Sequence, residues 1–261
     1  MLNLGKSRIQ GQKSTSKEPF FKRAGNFCKK VYNLMFHQDV YYRLGGFLIL
    51  GLLLFLASWA VFMFIVNKPN MFNNTFMIKK LFKIELVKTF GPWKEADFQN
   101  ILFWKIKLGN FINVILLTFK YFVNQLVFVI LFIFALNLFK IGRYNLSVFY
   151  FALYTILWGA VAGTNSFSFP VGANVVTGTL ILYARYGLWL WFAYAMLLVS
   201  TTQFAWLVAP SWTKPVWEKQ RKFWPVSFNA DQLEIFIYGF LFLLAACFAE
   251  AQIYVHYNGI G

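Results

Sequence analysis

Few side chains of this 261-residue chain combine a reactive type with an apolar setting, and Glu250 is the first of them, inside the run Leu233–Val255 about four turns after Glu234. Arg185 ends another apolar run, Val171–Ala184. An ionised group at hydrocarbon depth costs several kcal/mol unless it is paired or wet. Glu250 is therefore expected either to pair with Arg185 or the polar groups around Asn165 and Ser166, tying helices together or lining a polar path, or to snorkel out of the nearby helix end. Glu234 fits the positive end of a helix dipole. His37 and His256 both flank apolar runs and do not form the paired axial ligands of a membrane haem. Ser166 or Ser168 with His256 gives only the barest outline of a hydrolytic dyad. The chain contains no Gly-rich phosphate loop, no His-Glu-x-x-His and no Gly-x-Ser-x-Gly. Cys28 and Cys247, 219 positions apart, suggest neither a disulfide framework nor a metal cluster. The expectation is a protein with no catalytic residues, no metal and no cofactor.

The elements that must position these residues are membrane helices. Hydrophobic residues make up 59 % of the chain, aromatic ones 21 % and charged ones only 13 %, where about 25 % charged is usual. The net charge of +16 is concentrated: residues 1–43 carry nine basic and two acidic side chains, and residues 67–109 carry eight and three. Polybasic stretches beside apolar runs suit anionic lipid headgroups. Nucleic acid is not expected as a partner, because the rest of the chain is too apolar for water.

Crossing a bilayer takes about 20 apolar residues in a helix. Residues 1–43 read as a basic, mostly polar segment without the apolar core of a secretory signal, and an organellar transit peptide is the alternative. Residues 44–66 read as the first span, and 67–109 as a basic amphipathic segment lying on the membrane surface. Residues 110–261 read as a C-terminal bundle, with spans at Tyr121–Phe139, Leu146–Gly163, Gly187–Ala209 and Leu233–Val255. Lys120 is expected to snorkel. Between the middle spans, residues 164–185 form a broken segment. Pro170 lacks an N–H, and Asn165 and Ser166 compete for backbone partners, so Val171–Ala184 is expected to be short and re-entrant. Trp206, Trp212, Trp217 and Trp224 in and beside the hairpin Pro210–Asp231 read as interface anchors. Gly159 and Gly163 form a small-xxx-small face for close helix packing, within the chain or between chains. The fold class is thus all-α: a polytopic helical bundle with about five spans, one short re-entrant helix and one interfacial helix. The distribution of Lys and Arg favours an internal N-terminus.

The last hundred residues carry a resemblance. Gly159–Ser168 is a Gly-rich span end followed by a polar break; Tyr186-Gly187-Leu188-Trp189-Leu190 opens the next helix; Ala246-Cys247-Phe248-Ala249-Glu250-Ala251 places small residues around a glutamate in the last. This pattern, over about residues 100–256, resembles the stage II sporulation protein M family of multi-pass membrane proteins. Tyr186 stands where that family has histidine and Leu190 where it has glutamate, whereas Gly187 and Glu250 carry over. The resemblance implies a non-enzymatic membrane component that helps to place other machinery. Three functions are weighed: a scaffolding or partner-binding subunit of a membrane complex, binding other membrane subunits or its own copies; a permease or channel with a polar site at the broken helix; and an accessory subunit of an energy-transducing complex. The expected location is a cell membrane, with an organellar inner membrane as the alternative.

Overall fold

Asp39 marks where the chain turns into its first long helix, its carboxylate accepting the Tyr41 backbone N–H at 2.8 Å, the usual service of an Asp N-cap. The structure, a computed structural model, describes residues 20–68, 71–72, 108–164, 187–213, 216–220 and 227–258. Helix α1 runs Phe20–Met35. Helix α2 runs Val40–Ala60 and continues with π-helical geometry over Val61–Val66. Helix α3 runs Leu108–Phe128, then π-helical through Val129–Phe134 and α-helical again over Ala135–Asn137. After strands β1 (Phe139–Ile141) and β2 (Tyr144–Asn145) come α4 (Leu146–Gly163) and α5 (Leu188–Ser200). A 3-10 turn at Thr202–Phe204, strands β3 (Leu207–Ala209) and β4 (Glu218–Lys219), and α6 (Ala230–Asn258) complete the described chain.

Four helical stretches, Val40–Val66, Phe111–Asn137, Leu146–Gly163 and Ala230–Gln252, are long and apolar enough to cross a membrane, the mark of a multi-pass membrane protein. Of these four, α4 is the most buried, with 56 % of its apolar stretch inside the bundle against 11 % for α3. On α3, by contrast, Ile112, Leu116, Phe119 and Val123 stand 57–65 % exposed, the surface a helix presents to lipid or to a partner rather than to water.

Helices meet where side chains are smallest. A Cβ added to Gly159 would lie 2.6 Å from the Phe55 carbonyl oxygen, and one added to Gly163 would lie 2.6 Å from that of Trp59. Helices α2 and α4 thus approach backbone to backbone, as small residues permit. Between those points the Ser58 hydroxyl donates to the Ile156 carbonyl at 2.7 Å. Gly46 gives α1 the same access, since its Cβ would fall 2.6 Å from the Met35 backbone nitrogen.

The structure departs from the sequence reading at four places. Residues 20–35, placed in a polar leader, form α1, which buries Val31 and Met35 while Lys22, Arg23, Lys29 and Lys30 face outward. The expected span Gly187–Ala209 is, among the described residues, a helix of 13 residues that stops at Ser200. The expected span Tyr121–Phe139 is helical only to Asn137, Phe139 opening β1, and it continues a helix whose described part begins at Leu108 and carries exposed Lys120. The class is mostly helical rather than all-α, because the link 139–145 and the strands at 207–209 and 218–219 form a four-stranded sheet in the order β2-β1-β3-β4. β1 pairs parallel with β3, joining two loops at one end of the bundle. The re-entrant segment 171–184 and nearly all of the surface segment 67–109 lie outside the described residues.

Candidate functional site

The N-terminus of α2, the C-termini of α3 and α5 and the N-terminus of α4 meet at one end of the bundle, and their polar groups are tied together there. Asn137, fully buried at the end of α3, donates through Nδ2 to the Leu198 carbonyl at 3.1 Å and to Thr201 Oγ1 at 2.6 Å. Its Oδ1 accepts from the Ser147 hydroxyl, and its backbone carbonyl accepts from Asn145 Nδ2 at 3.0 Å. Asn145 Nδ2 also donates to the Thr202 carbonyl at 2.9 Å.

This knot explains why α5 ends where it does. The last carbonyls of a helix have no intrahelical partner. Thr201 Oγ1 donates to the Leu197 carbonyl at 2.6 Å, Thr202 Oγ1 to Val199 at 2.9 Å and Asn137 to Leu198, so side chains satisfy the terminus in place of a further turn.

Arg43 extends the knot to the α1–α2 turn. Its Nη1 donates to Thr202 Oγ1 at 2.6 Å, Nε and Nη2 to the His37 carbonyl at 3.1 and 3.0 Å, and Nη2 also to the Gln38 carbonyl at 3.1 Å. Beside it lies an open hollow of about 300 Å³, lined by Arg43, Lys140, Arg143, Asn145, Thr202, Gln203 and Gln232, with Met35, Phe36, Phe47 and Val148 as its apolar wall. A second hollow of about 320 Å³ shares Phe36 and Arg143 and includes Tyr32, His37 and Gln38. Among the described residues no carboxylate lines either one. Burial, then a hydrogen bond with Tyr32, raises the pKa of the neighbouring Tyr144 phenol, while the Arg143 charge acts against both, leaving it a neutral hydroxyl at physiological pH.

A separate polar group sits deeper in the bundle. Glu250 is 7 % exposed and lies within electrostatic reach of Tyr194, as does Cys247. The Tyr194 hydroxyl donates to Gln125 Oε1 at 2.7 Å, bridging α5 and α3, and Tyr154 stacks obliquely on Tyr194 with centroids 4.9 Å apart.

Of the residues singled out by sequence, Glu250 faces this interior, Gly187 is buried at the start of α5, and Gly159 and Gly163 face α2. Asn165, Ser166, Pro170 and Arg185 lie outside the described residues, as does the His256 side chain. Glu234 is exposed just past the first turn of α6, which holds Asp231 instead, and accepts from the Tyr41 hydroxyl at 2.8 Å. Trp217 and Trp212 make edge contacts with Phe139 and Phe149, and Lys219 stands 5.9 Å over the Trp206 ring. Cys28 is exposed and Cys247 buried. Among the described residues no group of three or more His, Cys, Asp or Glu could hold a metal ion.

Sequence reasoning passed over Asn137, Asn145, Ser147 and Arg43. The available signal was local: Ser200-Thr201-Thr202 interrupts an apolar run, and two asparagines bracket the basic link Lys140–Arg143. No protein-family model, no curated protein and no solved structure matches the chain.

Proposed function

We propose that this protein is a non-catalytic, multi-pass subunit that scaffolds or binds other membrane proteins, or copies of itself, in a cell membrane. The observation that carries the reading is how its polar groups are used. At the basic end Asn137, Asn145, Ser147, Thr201 and Thr202 are bonded to one another and to helix termini, which rigidifies a frame. The outward faces of α2 and α3 are apolar, with Phe64 and Ile65 at 69 % and 77 % exposure, a surface suited to lipid and to neighbouring helices. The resemblance to the stage II sporulation protein M family points to the same class of protein.

A permease is the second reading, favoured by one observation: buried Glu250 close to the Tyr194–Gln125 bridge. A carboxyl at this depth marks a solute or proton path in transporters. Replacing Glu250 with Gln separates the two. The scaffold reading expects the variant to lose co-purifying membrane partners or its native oligomer by size-exclusion chromatography in mild detergent. Intact assembly with lost solute or proton flux in liposomes would overturn it in favour of transport.

A further inference from the structure

We propose that the hollow between α1, the β1–β2 turn and the turn after α5 is a binding site for one phosphate group, carried by an anionic phospholipid headgroup or free in solution. Arg43, Lys140 and Arg143 converge on it. The Arg43 guanidinium is held by the His37 and Gln38 carbonyls and the Thr202 hydroxyl, neutral acceptors that fix its direction without cancelling its charge. Asp39, the carboxylate that acts electrostatically on Arg43, is turned to cap α2 and does not line the hollow. Among the described residues the Lys140 and Arg143 side chains have neither a hydrogen-bond nor an ion-pair partner.

Three cations around one cavity repel one another, and an anion between them turns that repulsion into attraction. Phosphate suits the set: its oxygens can accept the Arg143 fork, Lys140 as a point charge and the one Nη1 N–H that Arg43 does not spend on His37, Gln38 and Thr202. Asn145, buried with its amide hydrogens on the Asn137 and Thr202 carbonyls, braces one wall, and exposed Gln203 keeps one amide N–H beyond its bond to Ser227. One wall of the cavity is apolar, formed by Met35, Phe36 and Phe47, which accommodates the first carbons of a lipid beside its phosphate. Basic pockets at the ends of membrane helices bind headgroups in this way. The lipid source rests on the membrane reading above, whereas the free-phosphate source does not.

The test uses the full chain in nanodiscs of phosphatidylcholine with or without phosphatidylglycerol. Native mass spectrometry reads retained lipid, and thermal unfolding in pure phosphatidylcholine reads added inorganic phosphate. Wild type should retain one phosphatidylglycerol in preference to phosphatidylcholine, or gain thermal stability with inorganic phosphate. The pair Lys140→Gln and Arg143→Gln should weaken that binding by roughly tenfold or more, and the pair Lys29→Gln and Lys30→Gln, on the exposed face of α1, by about twofold at most. Arg143→Gln alone alters an exposed turn residue, so weaker binding at unchanged unfolding temperature excludes misfolding as the cause. Binding of phosphatidylglycerol alone identifies the headgroup as the source, and a response to inorganic phosphate identifies the free anion. Equal losses in the two pairs, or no binding in either arm, would overturn the site. If the chain failed to enter nanodiscs, the membrane reading would fall while the phosphate titration in detergent still decided the pocket.

Discussion

Asn137 is the single side chain on which the basic end depends most, because three of its side-chain hydrogen bonds join α3 to α4 and to the end of α5. Asn137→Ala should lower the unfolding free energy by about 2–3 kcal/mol, taking each bond at about 0.6–1 kcal/mol in a membrane bundle. Asn137→Asp is the sharper experiment. It keeps the volume but replaces two donors with a carboxylate oxygen facing the Leu198 carbonyl, so it should be worse than Ala. Unfolding titrations in micelles would show the order, and Asp milder than Ala would mean that Asn137 only fills space. The importance of this residue was hard to read from the sequence, where an asparagine in an apolar run has many uses. Its partners come from positions 147, 198 and 201, and only the fold brings them together. Glu250 was legible for the opposite reason, since a charge inside an apolar run stands out without any tertiary knowledge.

At the scale of elements, helix contacts rest on glycines, and α2 contains its own control. Gly45 has nothing within 4 Å of an added Cβ, whereas its neighbour Gly46 would drive one to 2.6 Å from the Met35 nitrogen. Gly45→Ala should therefore be neutral or stabilise by up to about 1 kcal/mol through helix propensity. Gly46→Ala and Gly159→Ala should each destabilise by roughly 1–3 kcal/mol as backbones are forced apart. Thermal unfolding of the three variants checks this, and equal effects at positions 45 and 46 would mean that α1 does not lie on α2. Long apolar helices such as α2 and α4 were legible because length and composition alone identify them. Helix α1 was not, because only Val31, Met35 and a few neighbours face inward among many basic residues. The end of α5 was missed because Leu207-Val208-Ala209 is as apolar as a helix; its strand conformation comes from pairing with Phe139-Lys140-Ile141, about 70 residues earlier in the chain.

For the whole molecule, the bundle gathers the C-terminal part of α1, the link β1–β2 and the strands β3 and β4 at one end, so Arg43, Lys140, Arg143 and Lys219, with Lys29 and Lys30 one turn before Tyr32 and Asn33, outnumber Asp39, Glu218, Asp231 and Glu234 there among the described residues. Excess Lys and Arg close to span ends is retained on the cytoplasmic side, and the end of α1 is accordingly expected there, with Asn67 and Lys68 across the bilayer at the far end of α2. The two ends can be labelled separately. Cys28 is exposed on α1 and Cys247 is buried, so a membrane-impermeant maleimide should reach Cys28 in sealed right-side-out vesicles only after permeabilisation, and Cys247 only after denaturation. In a Cys28→Ser background, Lys68→Cys should react from outside without permeabilisation. Reversed accessibility would invert the orientation while leaving the bundle intact. Labelling of both positions from the same side would mean that α2 does not cross, and would remove the basis for treating its exposed apolar face as a surface for lipid and partner helices.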